Sequence, residues 1–100
     1  MDLKEIIERI GRIRSKSNLS ARELSLRIDK NPGYINLLES KQNFEPSLSA
    51  LLDIIEICGI TPEEFFYENL EQYETDKKLL SFFKTLSQYQ KEAILNLYKK

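Results

Sequence analysis

Apolar side chains recur every three or four positions through most of the chain, which is the period of an amphipathic α-helix. The first such stretch runs from about Leu3 to Ser17, and its opposite side carries Glu5, Arg9, Arg12 and Lys16. We found no strand signal along the chain. The pattern predicts an all-α protein. The predicted buried stripe of the first helix is Leu3, Ile6, Ile7, Ile10 and Ile13, with Gly11 permitting close approach.

A short second helix is predicted over residues 20–28. Ser20 and Glu23 have the spacing of a capping box, in which a hydroxyl and a carboxylate satisfy backbone N–H groups reciprocally. The pattern stops at Asp29, whose side chain tolerates the left-handed conformation that a tight turn needs.

A third helix is predicted to follow almost at once, over residues 32–40. Asn31 can cap it, and Pro32 is favoured at the first helical position. Two short helices joined by so few residues are typical of a helix-turn-helix, whose second helix enters the major groove of DNA.

Caps mark the helices that follow. Ser47 is expected to start a fourth helix and Gly59 to end it in the left-handed conformation. Thr61 opens a fifth helix that should bring Phe65 and Phe66 into the core. The predicted inward face of the fourth helix consists of Leu48, Leu51, Leu52, Ile55 and Cys58.

The last third of the chain predicts a helical hairpin. Residues 68–74 suit a linker or a frayed helix, after which Thr75 or Asp76 should open a helix. Ser87 and Gln90 form another capping box at the start of the last helix. Two uses of this hairpin stay open and are compatible: it covers the back of the core, or it pairs with a second copy of the chain.

The spacing inside the helix-turn-helix is its most specific feature. With Ala21 as the first position, the fifth is Ser25, which must be small because the helices cross there. The ninth position lies in the turn, and the fifteenth and eighteenth, Ile35 and Leu38, should fill the core. This pattern resembles the lambda-repressor/Cro-like (XRE-type) helix-turn-helix family over roughly residues 6 to 67.

The resemblance implies a five-helix DNA-binding domain over residues 1–68. The helical hairpin predicted after it makes residues 69–100 a C-terminal helical extension. Two positions differ from the family pattern. Relatives often have a glutamine at the position of Ala21, where it braces the recognition helix and touches a phosphate. They usually have glycine at the position of Asp29.

The resemblance also implies which residues touch DNA. Among the base-facing residues Asn36 could bond an adenine and Leu37 could contact a thymine methyl, whereas Pro32 and Gly33 offer no side-chain donor. For Arg14 and Lys16, phosphate contact, solvation and pairing with Glu23 all stay open. The base-facing set is Asn31, Pro32, Gly33, Asn36, Leu37 and Ser40, and the phosphate-facing set is Arg22, Lys30, Tyr34, Lys41, Gln42 and Asn43.

Charge is balanced overall, with a formal net charge of −1, but it is unevenly distributed. Residues 9–30 contain seven basic and two acidic side chains, whereas residues 53–76 contain eight acidic and no basic ones. A basic front and an acidic back suit a protein that presents one side to phosphates.

Composition argues against other classes of function. Cys58 is the only cysteine and histidine is absent, so we expect no disulfide, no zinc cluster, no nucleophile–base pair, no cofactor and no enzyme activity. No apolar run reaches membrane-spanning length, and the N-terminus is amphipathic rather than a signal peptide. We therefore expect a cytoplasmic protein with no membrane partner.

Two hypotheses remain for the function. The first is a sequence-specific regulator of transcription, expected to be a repressor, which binds double-stranded DNA as a homodimer. The second is a protein-interaction or antitoxin-like module on the same fold, with a protein partner and weak DNA affinity. Ala21, Pro32, Gly33 and the near-neutral charge motivate the second hypothesis.

Overall fold

The computed structural model describes residues 1–41 and 44–99, with the backbone alone for Lys41 and Tyr98. Helices are the only regular elements in the described residues, which confirms the predicted all-α class. The elements are α1 (Leu3–Lys16), α2 (Ala21–Arg27), α3 (Tyr34–Lys41), α4 (Leu48–Ile57), α5 (Pro62–Phe65), a 3-10 turn (Leu70–Gln72), α6 (Tyr73–Lys84) and α7 (Gln88–Tyr98).

The chain divides into two units, Met1–Phe66 and Tyr67–Lys100. The first unit contains α1 to α5 and the hydrophobic core. The second contains the 3-10 turn, α6 and α7. In the described part of the chain, no helix combines the length and the apolar character needed to cross a membrane.

The core of the first unit draws side chains from all five of its helices. Ile7, Ile10 and Ile13 of α1 are buried as predicted, as are Ile35 and Leu38 of α3. Full burial of one such side chain stabilises the fold by about 1.5–3 kcal/mol, so the core holds α3 firmly. The remaining members of the core are Leu19, Leu24, Ile28, Leu51, Ile54, Ile55 and Phe65.

The inward face of α4 differs from the prediction. Leu48 is 70% exposed and Leu52 is also exposed, whereas Ala50 and Ile54 are buried. Apolar residues occur on almost every side of this helix, so their spacing alone could not select the buried side. Contacts with the rest of the unit made that selection.

The prediction for the end of the first unit was half right. Phe65 is fully buried, but Phe66 is exposed and packs edge-on against the Phe65 ring, with centroids 5.0 Å apart. Successive residues of a helix point about 100° apart, so only one of the two rings can enter the core.

Arg9 was predicted to face solvent, yet its Nη1 donates to the Phe65 carbonyl at 2.7 Å and links α1 to α5.

Three helices of the first unit end in the same way. Asn18, Asp29 and Gly59 follow α1, α2 and α4 with φ values of 56°, 58° and 77°. In each case the N–H of that residue and the next N–H donate back to carbonyls of the last turn, at 2.9–3.3 Å. This is the Schellman arrangement, in which a left-handed residue ends a helix without leaving its carbonyls unpaired. The predicted turn at Asp29 and end at Gly59 are confirmed.

In the second unit α6 starts earlier than predicted. It begins at Tyr73 rather than at Thr75 or Asp76, because the 3-10 turn leads directly into it without a side-chain cap. The start of α7 is as predicted. Ser87 accepts from the Gln90 N–H at 3.1 Å, and the Gln90 side chain accepts from the Ser87 N–H at 3.0 Å.

Candidate nucleic-acid interface

The helix-turn-helix begins at Ser20, the N-cap of α2. Its hydroxyl accepts from the Glu23 N–H at 3.0 Å, which is one half of the predicted capping box. The reciprocal bond from Ser20 N–H to the Glu23 side chain is not formed between these two described residues. Residues 21–27 then form α2, and Asp29 turns the chain toward α3, as predicted.

The recognition helix α3 starts two residues later than predicted. Pro32 and Gly33 lie in a turn ahead of Tyr34, so Pro32 is not the first helical residue. The Asn31 side chain accepts from the Gly33 N–H at 3.1 Å, and the Asn31 carbonyl accepts from the Tyr34 N–H at 3.1 Å. Asn31 therefore stabilises a local turn instead of capping the helix, because a short amide side chain reaches the N–H two residues on.

The start of α3 is capped from α2, by Ser25. This side chain is fully buried, and its hydroxyl accepts from the Ile35 N–H at 3.0 Å while donating to the Ala21 carbonyl at 2.7 Å. Ile35 is the second residue of α3, where an N–H has no acceptor within its own helix. The motif spacing predicted only that the residue at this crossing would be small. Its hydroxyl has a second role, since it caps the start of α3 from the neighbouring helix α2.

The far end of α3 is held by an ion pair with α1. Arg14 donates through Nε and Nη2 to the two Glu39 carboxylate oxygens, at 2.8 and 3.0 Å, and through Nη1 to the Leu19 carbonyl at 3.0 Å. The suggested pairing of Arg14 with Glu23 is therefore wrong. A β-carbon on Gly11 would lie 3.3 Å from Glu39 Oε1, so the predicted close approach at Gly11 is also seen.

The six residues predicted to face DNA bases all have exposed side chains or, for Gly33, an exposed backbone. They lie on the turn before α3 and along its outer side, while Ile35 and Leu38 face inward. Their contact with bases stays a prediction. The set is Asn31, Pro32, Gly33, Asn36, Leu37 and Ser40.

The predicted phosphate-facing residues are only partly described. Arg22 and Lys30 are exposed. Tyr34 is half-buried, with the Lys30 Nζ 5.4 Å from its ring centroid and the Phe44 ring edge-on at 5.5 Å. Burial raises the pKa of the Tyr34 hydroxyl, which stays a neutral hydrogen-bond donor at neutral pH. The Lys41 side chain and residues 42–43 lie outside the described residues, and so do the predictions for Lys41, Gln42 and Asn43.

Cys58 lies at the end of α4 as a half-buried thiol. Burial raises its pKa, while a hydrogen bond with Ser17 and the charge of Arg14 oppose that shift. The Ser17 hydroxyl also donates to the Cys58 carbonyl at 3.1 Å. Within the described residues, no group of histidine, cysteine and acidic side chains is arranged to hold a metal ion.

Comparison with known protein families explains this architecture. A sequence model described as helix-turn-helix matches residues 10–65, which is more than half of the chain. Comparison with curated proteins and with solved structures gave no match. The matched segment runs from within α1 to the end of α5 and so contains the whole motif together with the core that supports it. The chain therefore belongs to the lambda-repressor/Cro-like (XRE-type) helix-turn-helix family of DNA-binding transcription regulators.

Proposed function

We propose that this regulator is a repressor that binds a specific DNA sequence as a homodimer, with α3 in the major groove. The proposal is based mainly on the contacts that fix α3 in the fold. Ser25 caps its start, the Arg14–Glu39 pair holds its end, and its outer side stays exposed. A recognition element held in one geometry loses little entropy when it binds, which favours specific contacts.

Asn36 is the strongest candidate for direct readout. Because α3 starts at Tyr34, Asn36 is its third residue, and recognition helices contact base edges chiefly through their N-terminal residues. Its amide can pair bidentately with adenine N6 and N7, and exposed Leu37 can contact a thymine methyl. Pro32 and Gly33 in the preceding turn have no side-chain donor that could compete with Asn36.

Phosphate contacts would set the position of α3 in the groove. Arg22 lies in the first turn of α2 and Lys30 in the turn between the helices, and both side chains are exposed. Such contacts orient a protein on the duplex without reading sequence. The same role is proposed for Lys41, Gln42 and Asn43 from the sequence.

A homodimer would read two half-sites about one helical turn apart, roughly 34–36 Å. Two recognition helices bound at once give a small DNA-binding protein an affinity that one recognition helix cannot supply. Repression is the simplest outcome, since a dimer bound across a promoter excludes polymerase by occupancy alone.

The test is a selection from random duplexes with wild type, Asn36→Ala and Asn96→Ala. Asn96 is a matched control, because it is an exposed helical asparagine in α7. We expect Asn36→Ala to lose about 1–3 kcal/mol on the preferred site and to relax selection at one base pair per half-site. Asn96→Ala should select the wild-type sequence.

The outcomes separate three cases. Identical sequences selected by wild type and Asn36→Ala would refute direct readout and leave indirect readout of DNA shape. Failure of the wild type to retain any duplex at low salt would refute the proposal as a whole. That last result would favour a protein-interaction module, for which the exposed Leu37 on the outer side of α3 is the structural argument.

A further inference from the structure

The second unit of the chain buries very little of its own apolar surface. Tyr73 is its only buried side chain among the described residues. Seven large apolar side chains of α6 and α7 are exposed in the described residues. Four of them line two recesses that share Phe83, and we call these four the hairpin face. The hairpin face consists of Leu79, Leu80, Phe83 and Leu95.

The hairpin face would supply much of the apolar area of a standard interface. Its four side chains are between 38% and 58% exposed, which corresponds to roughly 350 Å² of exposed surface if each side chain presents about 150–200 Å² when free. A standard interface buries about 800 Å² per partner, of which about 56–65% is apolar. The hairpin face alone would supply about two thirds of the apolar area of such an interface.

The hairpin face also has recesses that could receive side chains. A cleft of about 220 Å³ lies between α6 and α7, lined by Phe83, Lys91, Ile94 and Leu95. A cavity of about 150 Å³ already accommodates a benzene ring, so this cleft is large enough for an aromatic side chain from a partner.

The charges beside the hairpin face are arranged so that the surface complements itself. Asp76 and Lys84 lie four residues before and four residues after Leu80, on the same side of α6. If two α6 helices cross antiparallel at Leu80, each Asp76 comes opposite Lys84 of the partner subunit. A two-fold interface requires this kind of self-complementarity, and antiparallel helices also have opposed dipoles.

We infer that a second copy of this chain covers the hairpin face, with two α6 helices packed antiparallel about Leu80. This inference rests on the proposed homodimer and identifies the surface that forms it. Asp76 can contribute to the pair although one of its oxygens accepts from the Tyr67 hydroxyl, because its carboxylate has a second oxygen.

The first test measures the oligomeric state of the full-length chain by sedimentation velocity over a range of concentrations. The wild type should form a dimer, and Leu80→Glu should weaken it at least about 30-fold, since each substitution occurs twice. Leu97→Glu on α7, outside the hairpin face, is the matched control and should leave dimerisation unchanged. Circular dichroism should show equal helix content in all three proteins.

A charge exchange makes the test specific for the antiparallel arrangement. Asp76→Lys and Lys84→Glu should each weaken the dimer about 10-fold, because each places like charges opposite one another twice. Combining the two should restore dimerisation to within about 3-fold of wild type. The combination cannot restore the Tyr67–Asp76 hydrogen bond, so recovery would report the intersubunit pair.

Three results would overturn the inference. They are a wild type that stays monomeric at every concentration, a double charge exchange no better than the single changes, and a dimer dissociated by Leu52→Glu but not by Leu80→Glu. The third would place the interface on α4, where Leu52 is exposed beside the groove formed with Ile60 and Pro62. The DNA-binding proposal is tested independently of these results, by whether the wild type retains duplexes at low salt.

Discussion

Removing the buried hydroxyl of Ser25 should loosen the start of the recognition helix. In Ser25→Ala the Ile35 N–H loses its acceptor at a position where both residues are fully buried and water cannot replace the bond. An unpaired buried N–H costs about 1–3 kcal/mol, and loss of an N-cap costs about 0.5–2 kcal/mol. Both figures describe the same bond, so they are not added.

Two smaller effects of Ser25→Ala act in opposite directions. Alanine has a helix propensity about 0.5 kcal/mol better than serine, which favours the variant in α2. The lost hydroxyl leaves a small void in the crossing of α2 and α3, which disfavours it. The Ala21 carbonyl loses the hydroxyl donor but can still accept within its helix. The expected net loss is about 2 kcal/mol.

The assay is thermal and denaturant unfolding of the full chain, combined with hydrogen exchange at the Ile35 amide. A loss of about 2 kcal/mol would lower Tm by roughly 8–16 °C for a unit of this size. The matched control is Ser20→Ala, which removes an exposed N-cap from α2 and should cost about 1 kcal/mol or less. Equal losses in the two variants, or unchanged exchange at Ile35, would refute the assignment of Ser25 as the cap of α3.

Three further outcomes are expected. A double-mutant cycle of Arg14→Ala and Glu39→Ala should give a coupling of roughly 1–2 kcal/mol in unfolding experiments, since the pair is bidentate and mostly shielded; coupling near zero would contradict this. Arg22→Ala should weaken binding to all duplexes about equally, and the slope of the logarithm of the binding constant against the logarithm of the salt concentration should become shallower by about one. Titrations at several salt concentrations would measure this slope. Lys78→Ala on α6 is the control and should change neither the affinity nor the slope. At pH 8 iodoacetamide should modify Cys58 more slowly in the native chain than in urea, because burial raises its pKa and the thiolate is the reactive form; equal rates would refute the shielding.

The raised pKa of Cys58 also fixes the sign of one pH effect on stability. The fold favours the neutral thiol, so this contribution is fully present below the thiol's ordinary pKa of about 8.5. It is lost as the pH rises through the higher pKa of the folded state. Wild type should therefore lose more stability than Cys58→Ala above about pH 8.5.

Several features of this protein were determined locally and could be predicted from the sequence. The caps at Ser20, Ser47 and Ser87 bond N–H groups three residues ahead, and the turn at Asp29 needs only a residue that tolerates positive φ. Each depends on neighbours within one helical turn. The motif spacing identified the family, because the fold needs a small residue where α2 crosses α3 and apolar residues where α3 meets the core. Membership of the family in turn indicated DNA binding.

The tertiary structure decided what depends on distant partners. Arg14 pairs with Glu39, 25 residues away, rather than with Glu23, and Ser25 caps a helix ten residues ahead. The buried side of α4 was set in the same way, since competing local options differ by about 1 kcal/mol or less and packing decides between them. Sequence spacing describes neighbours along one helix, whereas these contacts depend on where separate helices meet.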